Sequence, residues 1–365
     1  MPWGGLLALA AVLVLDRIFF GLIAPWGALA ERVGPRERPH HQVARSRGTI
    51  RKLTAAALDG PTAFVVGSSR ADRAFDPATA RRRLPELEFG RVAFAALRPF
   101  EMRSLTDDLI RSGADAAVLV LSEFDTHRPI RLDPMPGTSA ASVGTLAELL
   151  SLAGTRFAFE NRTLLYRIPL SRVLDAYRFR EILRLAGLDS LREFQLDEKR
   201  HWTRTAPLLR PAAMGGRTKR KPTAELIERI VADFPERRRR TASYQIWMIA
   251  EMGVGPHVRV QEQLIRSAVA RLRTAGVQVV MAEGPLHPDA ALLYDARLRD
   301  DFLAFADALR AEFGIRLLRL EAFGRLSPSD FGDMLHLNAR GAQRFTRVVV
   351  DAVGQVLGTR GAAFD

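Results

Sequence analysis

Cysteine is absent from this 365-residue sequence, so disulfide bonds, thiolate metal ligands and cysteine nucleophiles are all excluded. The seven histidines show no metal-ligand spacing, and we therefore expect neither a metal site nor a cofactor. Lysine is also scarce, although the formal net charge is +13. Arginine carries almost all of the positive charge, because lysine occurs only at Lys52, Lys199, Lys219 and Lys221.

The basic residues form two local clusters, at 217–221 and 237–240. Such clusters can bind nucleic acid or anionic lipid. However, the arginines are spread along the whole chain, aromatic residues are not regularly interleaved with them, and no nucleic-acid-binding motif is present. We therefore expect no nucleic-acid partner and attribute the charge to a general arginine bias with a membrane-facing basic surface.

Bulk composition indicates a globular protein, with 47% hydrophobic and 26% charged residues. The length permits one large domain or two smaller ones. Wholesale disorder is excluded, because enough apolar surface is available to form a core.

Residues 3–29 are apolar except for Asp16 and Arg17, and this run is long enough to span a bilayer. A membrane anchor is the first interpretation. A signal peptide, with a small-residue cleavage site at 28–30, and an amphipathic or core helix are the alternatives. The seven basic residues between 32 and 52 would keep that flank in the cytoplasm by the positive-inside rule.

Predicted strands and helices alternate along most of the remaining chain. The predicted strands are 63–66, 91–97, 116–121, 277–282 and 315–320, and the predicted helices are 49–58, 78–84, 100–112, 260–275, 299–313 and 340–357. This alternation predicts an α/β fold, a three-layer sandwich with a central parallel, flavodoxin-like sheet. An N-terminal hydrophobic helix and a helical insertion are expected in addition.

The predicted organisation has one main domain. It comprises an anchor or signal segment at 1–30, a connector at 31–59, an α/β domain at 60–357 and a tail at 358–365. The stretch from about 125 to 255 interrupts the alternation and is rich in helix formers, proline and basic residues. We interpret it as a helical insertion that serves as a lid or a partner surface.

The first chemistry-bearing motif is Phe64-Val65-Val66-Gly67-Ser68-Ser69-Arg70. It reads as a buried strand that ends at Gly67, whose freedom in φ permits a sharp turn. Ser68 and Ser69 would then lie at the carboxyl end of a parallel sheet, where ligands bind and where backbone N–H groups can stabilise an oxyanion. An ordinary strand-end turn is the structural alternative.

The second motif is Asp333-Met334-Leu335-His336-Leu337-Asn338. Residues three apart on a helical turn share a face, so Asp333 can orient one imidazole nitrogen of His336. The other nitrogen could then act as a general base on a serine. In the structural alternative His336 is a surface residue, and Asn338 caps the following helix.

Together the two motifs resemble the SGNH/GDSL hydrolase superfamily, particularly its membrane-anchored bacterial envelope branch. The resemblance covers about 60–124 and 257–357, and the final block is matched by Asp333, His336, Asn338 and Gly341. It implies that Ser69 is the nucleophile, His336 the base and Asp333 the orienting acid. Ser68 takes the place of the family's usual aspartate.

The resemblance also implies oxyanion donors in two further blocks. The second block matches 92–97, where the N–H of Ala95 would serve, and the third matches 121–125, where Ser122 stands in a segment without asparagine. Glu123 and Asp125 are candidate polar pocket residues. Arg70 could bind an anionic substrate group or form a salt bridge, and His287 could contact substrate or be structural.

The function implied is a serine esterase or O-acyltransferase that acts on an acylated envelope glycan or lipid. The resemblance places the protein as a single-pass protein in the bacterial inner membrane, with its catalytic domain in the periplasm and with possible envelope-assembly partner proteins. The alternative is a catalytically inactive binding or scaffold component of envelope polysaccharide assembly.

Overall fold

The computed structural model describes residues 10–15, 18, 49–50, 60–93, 97–128, 143–160, 222–324 and 326–358. Two compact units are formed, one by Met1–Gly48 with Arg131–Ala213 and the other by Thr49–Ile130 with Met214–Asp365. The described part of the first unit consists mainly of one helix, which is interrupted at Gly154, where φ is 79°. Among the described residues, no helix is both long and apolar enough to cross a membrane.

The second unit contains a five-stranded sheet whose neighbouring strands are all parallel. The spatial order is β2-β1-β3-β4-β5, which is the order of flavodoxin-like sheets. The strands are β1 Thr62–Gly67, β2 Glu88–Ala93, β3 Ala116–Leu121, β4 Gln278–Glu283 and β5 Arg316–Leu318.

Helices follow most of the strands along the chain, as a parallel sheet requires. They are α1 Ser69–Ala74, α2 Pro77–Arg83, α3 Pro99–Arg111, α4 Glu123–His127, α5 Val143–Glu160, α6 Ala224–Ala232, α7 Glu236–Ala250, α8 Pro256–Thr274, α9 Arg297–Phe313 and α10 Ala339–Leu357. Of these, α5 belongs to the first unit and the others to the second.

The two central strands β1 and β3 are buried along their whole length, because helices cover both faces of the sheet. On one face, side chains such as Val65 and Val118 pack against α1, α2 and α10, including Phe345. On the other face, α3, α8 and α9 contact β1, β4 and β5 respectively. The α/β fold with a central parallel sheet is therefore confirmed.

The second strand differs from its prediction. We expected it at 91–97, but β2 is Glu88–Ala93, because its six residues pair one for one with β1, from Thr62↔Glu88 to Gly67↔Ala93. The predicted start was therefore three residues too late, and residues 94–96 lie outside the described residues. Of the other predicted segments, the helix at 49–58 is described only at 49–50 and the N-terminal apolar run only at 10–15 and 18. The predicted connector, 31–59, is described only at 49–50, and the predicted tail, 358–365, only at 358.

The C-terminal part of the predicted insertion is helical and belongs to the second unit. Ile230 on α6 and Ile246 on α7 share a buried apolar cluster with Phe124 and Met334. Phe124 follows β3 and Met334 lies between Asp333 and His336. This part of the insertion therefore packs directly on the segments that carry the predicted site.

Candidate active site

The turn after β1 positions the candidate nucleophile. Ser68 is the N-cap of α1, and its hydroxyl accepts a hydrogen bond from the Arg70 N–H at 3.4 Å, so Ser69 is the first residue of the helix. Gly67 does not use the left-handed region, contrary to the prediction. It is needed for space, because a Cβ there would lie 2.7 Å from the Cβ of Ala71 and 3.0 Å from the carbonyl oxygen of Val120.

Arg70 joins the carboxyl ends of three strands. Its side chain is only 2% exposed and forms an ion pair with Asp125. It also donates to the Ser122 hydroxyl at 2.7 Å and to the carbonyl oxygen of Gly284 at 3.3 Å. The salt-bridge alternative is therefore the observed one, and the expected contact of Arg70 with an anionic substrate is not supported, because both terminal nitrogens of its guanidinium bind protein groups in the interior.

Ser122 is buried and committed to local structure. As the N-cap of α4, its hydroxyl accepts from the Phe124 N–H at 3.0 Å as well as from Arg70. Its own N–H donates to Asp125 at 2.9 Å. These contacts explain the polar residues after β3 as a cap and an ion-pair partner, and they leave the expected oxyanion role of Ser122 without support.

The second motif forms a tight loop rather than the predicted helical turn. A single antiparallel bridge joins Phe331 to Leu337, and the Gly332 N–H donates to the carbonyl oxygen of His336 at 2.8 Å. Within the loop, one carboxylate oxygen of Asp333 accepts from the N–H groups of Leu335 at 3.0 Å and of His336 at 2.9 Å. These bonds fold the loop back on the Asp333 side chain and bring the imidazole beside it.

The loop is anchored at the start of α10. Asn338 caps this helix, because its side-chain oxygen accepts from the N–H groups of Arg340 at 3.0 Å and Gly341 at 3.1 Å. Gly341 permits a close approach, since a Cβ there would lie 2.4 Å from the carbonyl oxygen of Asp330. Asn338 and Gly341, which belong to the family-like block, thus set the position of the loop and take no visible part in the chemistry.

The two motifs meet in a continuous hydrogen-bonded chain. The Ser69 hydroxyl lies 2.9 Å from Nε2 of His336, and Nδ1 of His336 lies 2.9 Å from Oδ2 of Asp333. The structure thus brings together all three residues that were predicted as catalytic. Since the carboxylate can only accept, Nδ1 carries the ring proton and Nε2 is left to accept from the serine.

Asp333 is buried and ionised. Burial alone would raise its pKa, but the hydrogen bond and charge of His336, the Leu335 N–H and the Gln245 side chain together hold the pKa below its ordinary value of 3.8. A carboxylate in this state orients the imidazole and stabilises its protonated form, as the orienting acid of a Ser-His-Asp triad does.

Gln245, which the sequence analysis did not single out, supports this carboxylate from α7. Its side-chain oxygen accepts from the Met334 N–H at 3.1 Å, while its amide nitrogen hydrogen-bonds to Asp333 and lies 3.4 Å from Nδ1 of His336. The side chain is buried beside Ala242, Ile246 and Ile249. A polar residue within the apolar stripe of a helix was the available sequence signal.

His287 contacts the same loop from the β4 side. Its backbone N–H donates to the carbonyl oxygen of Met334 at 3.1 Å. Its buried ring lies between Phe234 and Phe331, with centroid separations of 5.2 and 5.3 Å. Burial lowers the pKa of His287. These contacts agree with the structural alternative, so substrate contact by His287 is not supported.

Two further carboxylates at the strand ends are also committed to protein partners. Glu123 accepts from the Tyr294 hydroxyl, and Glu283 pairs with Arg299 and accepts from the Leu320 N–H at 2.9 Å. Within the described residues, no cluster of three His, Asp or Glu side chains is placed to hold a metal ion. The remaining predicted oxyanion residue, Ala95, lies outside the described residues.

Comparison of the sequence with protein-family models gives no match, and comparison with curated proteins gives none either. The functional argument therefore rests on the geometry of the site. That geometry is a serine hydroxyl, an imidazole and a carboxylate in one hydrogen-bonded chain at the carboxyl end of a parallel sheet, which is the arrangement of a Ser-His-Asp triad.

Proposed function

We propose that this protein is a serine esterase or O-acyltransferase of the SGNH type. The observation that carries the proposal is the unbroken hydrogen-bonded chain from Ser69 through His336 to Asp333. Its location supports the same conclusion, because β1 and β3 are neighbours at the point where the strand order reverses, and ligands of open α/β sheets bind at such points.

In the proposed reaction the Ser69 oxygen attacks the carbonyl carbon of an ester, and Nε2 of His336 takes the hydroxyl proton. The negative charge of Asp333 stabilises the imidazolium. The oxyanion then collapses, the bond to the alcohol breaks, and the imidazolium returns its proton to the leaving oxygen. The Ser69 N–H is a candidate oxyanion donor, since the first N–H groups of a helix have no intrahelical acceptor.

The acyl-enzyme is then resolved by a second nucleophile. His336 takes a proton from water or from a sugar hydroxyl, whose oxygen attacks the acyl carbon. The bond between the acyl carbon and the Ser69 oxygen then breaks, and the imidazolium returns its proton to that oxygen. Water gives an esterase, and a hydroxyl gives an O-acyltransferase. The Ser69–His336–Asp333 chain supports both outcomes equally, since the same base serves both acceptors.

The proposed substrate is an acylated glycan or lipid of the bacterial envelope. This part of the proposal is supported by the family-like motifs, by the apolar segment at 3–29 and by the excess of arginine. With that segment as an anchor, the protein would be a single-pass protein of the inner membrane, with envelope-assembly proteins as possible partners. The basic residues between 32 and 52 favour a cytoplasmic catalytic unit by the positive-inside rule, but the family-like motifs favour the periplasm, and we propose the periplasm on that ground.

The direct test is hydrolysis of 4-nitrophenyl acetate by Ser69→Ala. We expect turnover to fall by a factor of about a thousand or more, because residues of such a triad act as a unit. The matched control is Ser68→Ala, which removes the neighbouring cap at a cost of about 1 kcal/mol in unfolding free energy and should retain turnover. Unchanged turnover in a folded Ser69→Ala variant would contradict the proposal.

A second candidate is a catalytically inactive binding or scaffold component of envelope polysaccharide assembly. The observation that favours it is the commitment of the Ser122 hydroxyl to Arg70 and Phe124, in a segment without an asparagine. A fluorophosphonate probe separates the two candidates. Labelling that is lost in Ser69→Ala supports the enzyme, whereas no labelling of the folded protein supports the scaffold.

A further inference from the structure

Arg128, which follows α4, is a largely buried cation to which the described residues offer no polar partner. The residue is only 9% exposed, and its guanidinium lies over the ring of Phe124, 4.8 Å from the ring centroid. Across the described part of the chain, no hydrogen-bond acceptor and no carboxylate is paired with this guanidinium, and its nitrogens are not among the fully enclosed side-chain atoms, so a ligand can reach them. The triad does not use it, and the contacts that explain Arg70 do not extend to it.

The nearby charges do not neutralise Arg128. Burial lowers its pKa to about 10, and the positive charge of Arg98 acts in the same direction. Two carboxylates oppose this effect, but both are engaged elsewhere. Asp125 is paired with Arg70, and Glu101 accepts the backbone N–H of Arg98 at 3.0 Å.

A buried cation without a counter-ion is costly to the folded protein, so a ligand that supplies the missing negative charge would be bound favourably. We propose that Arg128 anchors a subsite for an oxyanion group of the substrate, the carboxylate of an acidic sugar or a phosphate carried on a sugar. A guanidinium that is stacked on a ring keeps its N–H edge in plane, which is the geometry that carboxylate and phosphate oxygens accept in a bidentate manner.

The subsite lies close to the triad. The guanidinium of Arg70 lies 5.4 Å from the centroid of the same Phe124 ring, so the two guanidinium carbons are at most about 10 Å apart. Arg70 directly follows Ser69. An anionic group at Arg128 and an ester at Ser69 could therefore belong to the same substrate molecule.

The role as a substrate subsite depends on the proposed function, but anion binding does not, and the first experiment measures binding alone. Titration calorimetry at constant ionic strength compares glucuronate, glucose 6-phosphate and neutral glucose. We expect one or both anions to bind, with glucose at least about tenfold weaker. Arg128→Met should weaken the anion by a factor of about ten or more, and Arg128→Lys, which keeps the charge without the planar fork, should weaken it less.

The control is Arg310→Gln, which removes an exposed arginine paired with Asp307 on α9 and should bind as the parent does. The melting temperature distinguishes a subsite from a structural role, because removal of a structurally important arginine would lower it. Without ligand, Arg128→Met should melt at the same temperature as the parent or higher, because an uncompensated buried charge has been removed. Equal anion affinity in Arg128→Met, absence of binding by the parent, or equal binding of glucose would overturn the subsite.

The second experiment compares acetyl esters of glucuronate and of glucose. We expect the ratio of their kcat/KM values to fall by about tenfold in Arg128→Met and to stay unchanged in Arg310→Gln. If the parent cleaves both esters with a ratio that Arg128→Met does not alter, the subsite fails and the esterase stands. If the parent binds the anions but cleaves no ester, the esterase fails and the binding site stands.

Discussion

The nucleophile and the base of this site are held in place by different kinds of interaction. On the nucleophile side, Ser69 follows a central strand, and the buried Arg70–Asp125 ion pair joins the strand ends around it. On the base side, Asp333 and His336 lie in a loop without regular secondary structure, held by backbone N–H groups and by Gln245 from α7. The first side depends on a buried charge pair, and the second depends on many smaller hydrogen bonds.

This difference predicts different consequences of mutation. The loss of one member of a buried ion pair leaves an uncompensated charge inside the protein, which is costly for stability. The loss of one hydrogen bond among several shifts a loop by a small distance, which costs little stability but much catalytic alignment. Stability and activity should therefore respond separately on the two sides.

The largest effect is expected for the ion pair. Arg70→Met should lower the free energy of unfolding by about 3–5 kcal/mol, because it leaves Asp125 charged and buried. Urea unfolding measures this loss, and Asp125→Leu combined with Arg70→Met should restore part of it. The control is Arg83→Gln, which breaks an exposed pair with Asp351 and should cost less than about 1 kcal/mol. An equal cost in the two single variants would contradict the comparison.

Acidification should weaken the fold through buried histidines on both sides of the site, because burial lowers the pKa of His287 beside the base loop as it lowers that of His127. Burial lowers the pKa of His127 on α4 to about 4, whereas the unfolded chain titrates near 6.5. The unfolded state therefore binds more protons below pH 6.5, and stability falls as the pH drops from 6.5 towards 4, by about 3 kcal/mol from this residue. His257, whose pKa burial also lowers, acts in the same direction.

Urea unfolding at pH 7.5, 6 and 5 measures how the free energy of unfolding depends on pH. This dependence should be weaker in His127→Gln than in the parent. Asp333 on the base side belongs to a different window. Its lowered pKa adds stability that is present above pH 3.8 and is lost only at lower pH. A slope between pH 6.5 and 5 that His127→Gln leaves unchanged would refute the assignment.

Gln245 is expected to affect activity more than stability. Gln245→Leu removes the acceptor of the Met334 N–H and a donor to Asp333, at a cost of about 1–2 kcal/mol in unfolding free energy. A shifted base should lower kcat on an activated ester by about ten- to a hundredfold, with KM little changed.

Gln245→Glu is a more specific test of this role than Gln245→Leu. It keeps an acceptor for Met334 but places a second carboxylate against Asp333, which should raise the pKa of Asp333 and move the acid limb of the kcat profile to higher pH. Equal profiles in Gln245→Glu and the parent would show that Gln245 only fills space.

The smallest effect is expected at Arg238, the other α7 residue near the base. Its side chain is 47% exposed, and its guanidinium lies 3.9 Å from Asp333. Arg238→Gln should change stability by less than about 0.5 kcal/mol, and any change in rate should disappear at high salt. An effect as large as that of Gln245→Leu would show that long-range charge, rather than direct hydrogen bonding, orients the base.

The sequence predicted the parts of this structure that depend on local pattern. The apolar runs of β1 and β3 placed both strands to within one residue, and the spacing of Asp333 and His336 correctly predicted that this carboxylate would meet this imidazole. The predicted start of β2 was wrong, because it is set by pairing with β1 rather than by local preference.

The remaining errors concern side chains whose partners are distant along the chain. From the sequence alone, Arg70 could contact a substrate or form a salt bridge. Only the structure shows that Asp125 lies beside it. Gln245 joined the site only through contacts with residues about 90 positions away. The loop around Asp333 was predicted as a helical turn because a three-residue spacing is shared by helices and by the tight loop that is present.

The hydrogen bond between Ser69 and His336 joins residues that are 267 positions apart. During synthesis the serine therefore exists long before the base that would activate it. A chain that has been made only as far as β5 has all five strands of the sheet but still lacks His336, so the Ser69 hydroxyl at the end of β1 has no base. Because the second motif is synthesised last, the proposed acyl chemistry cannot begin until α10 and the loop before it have been made.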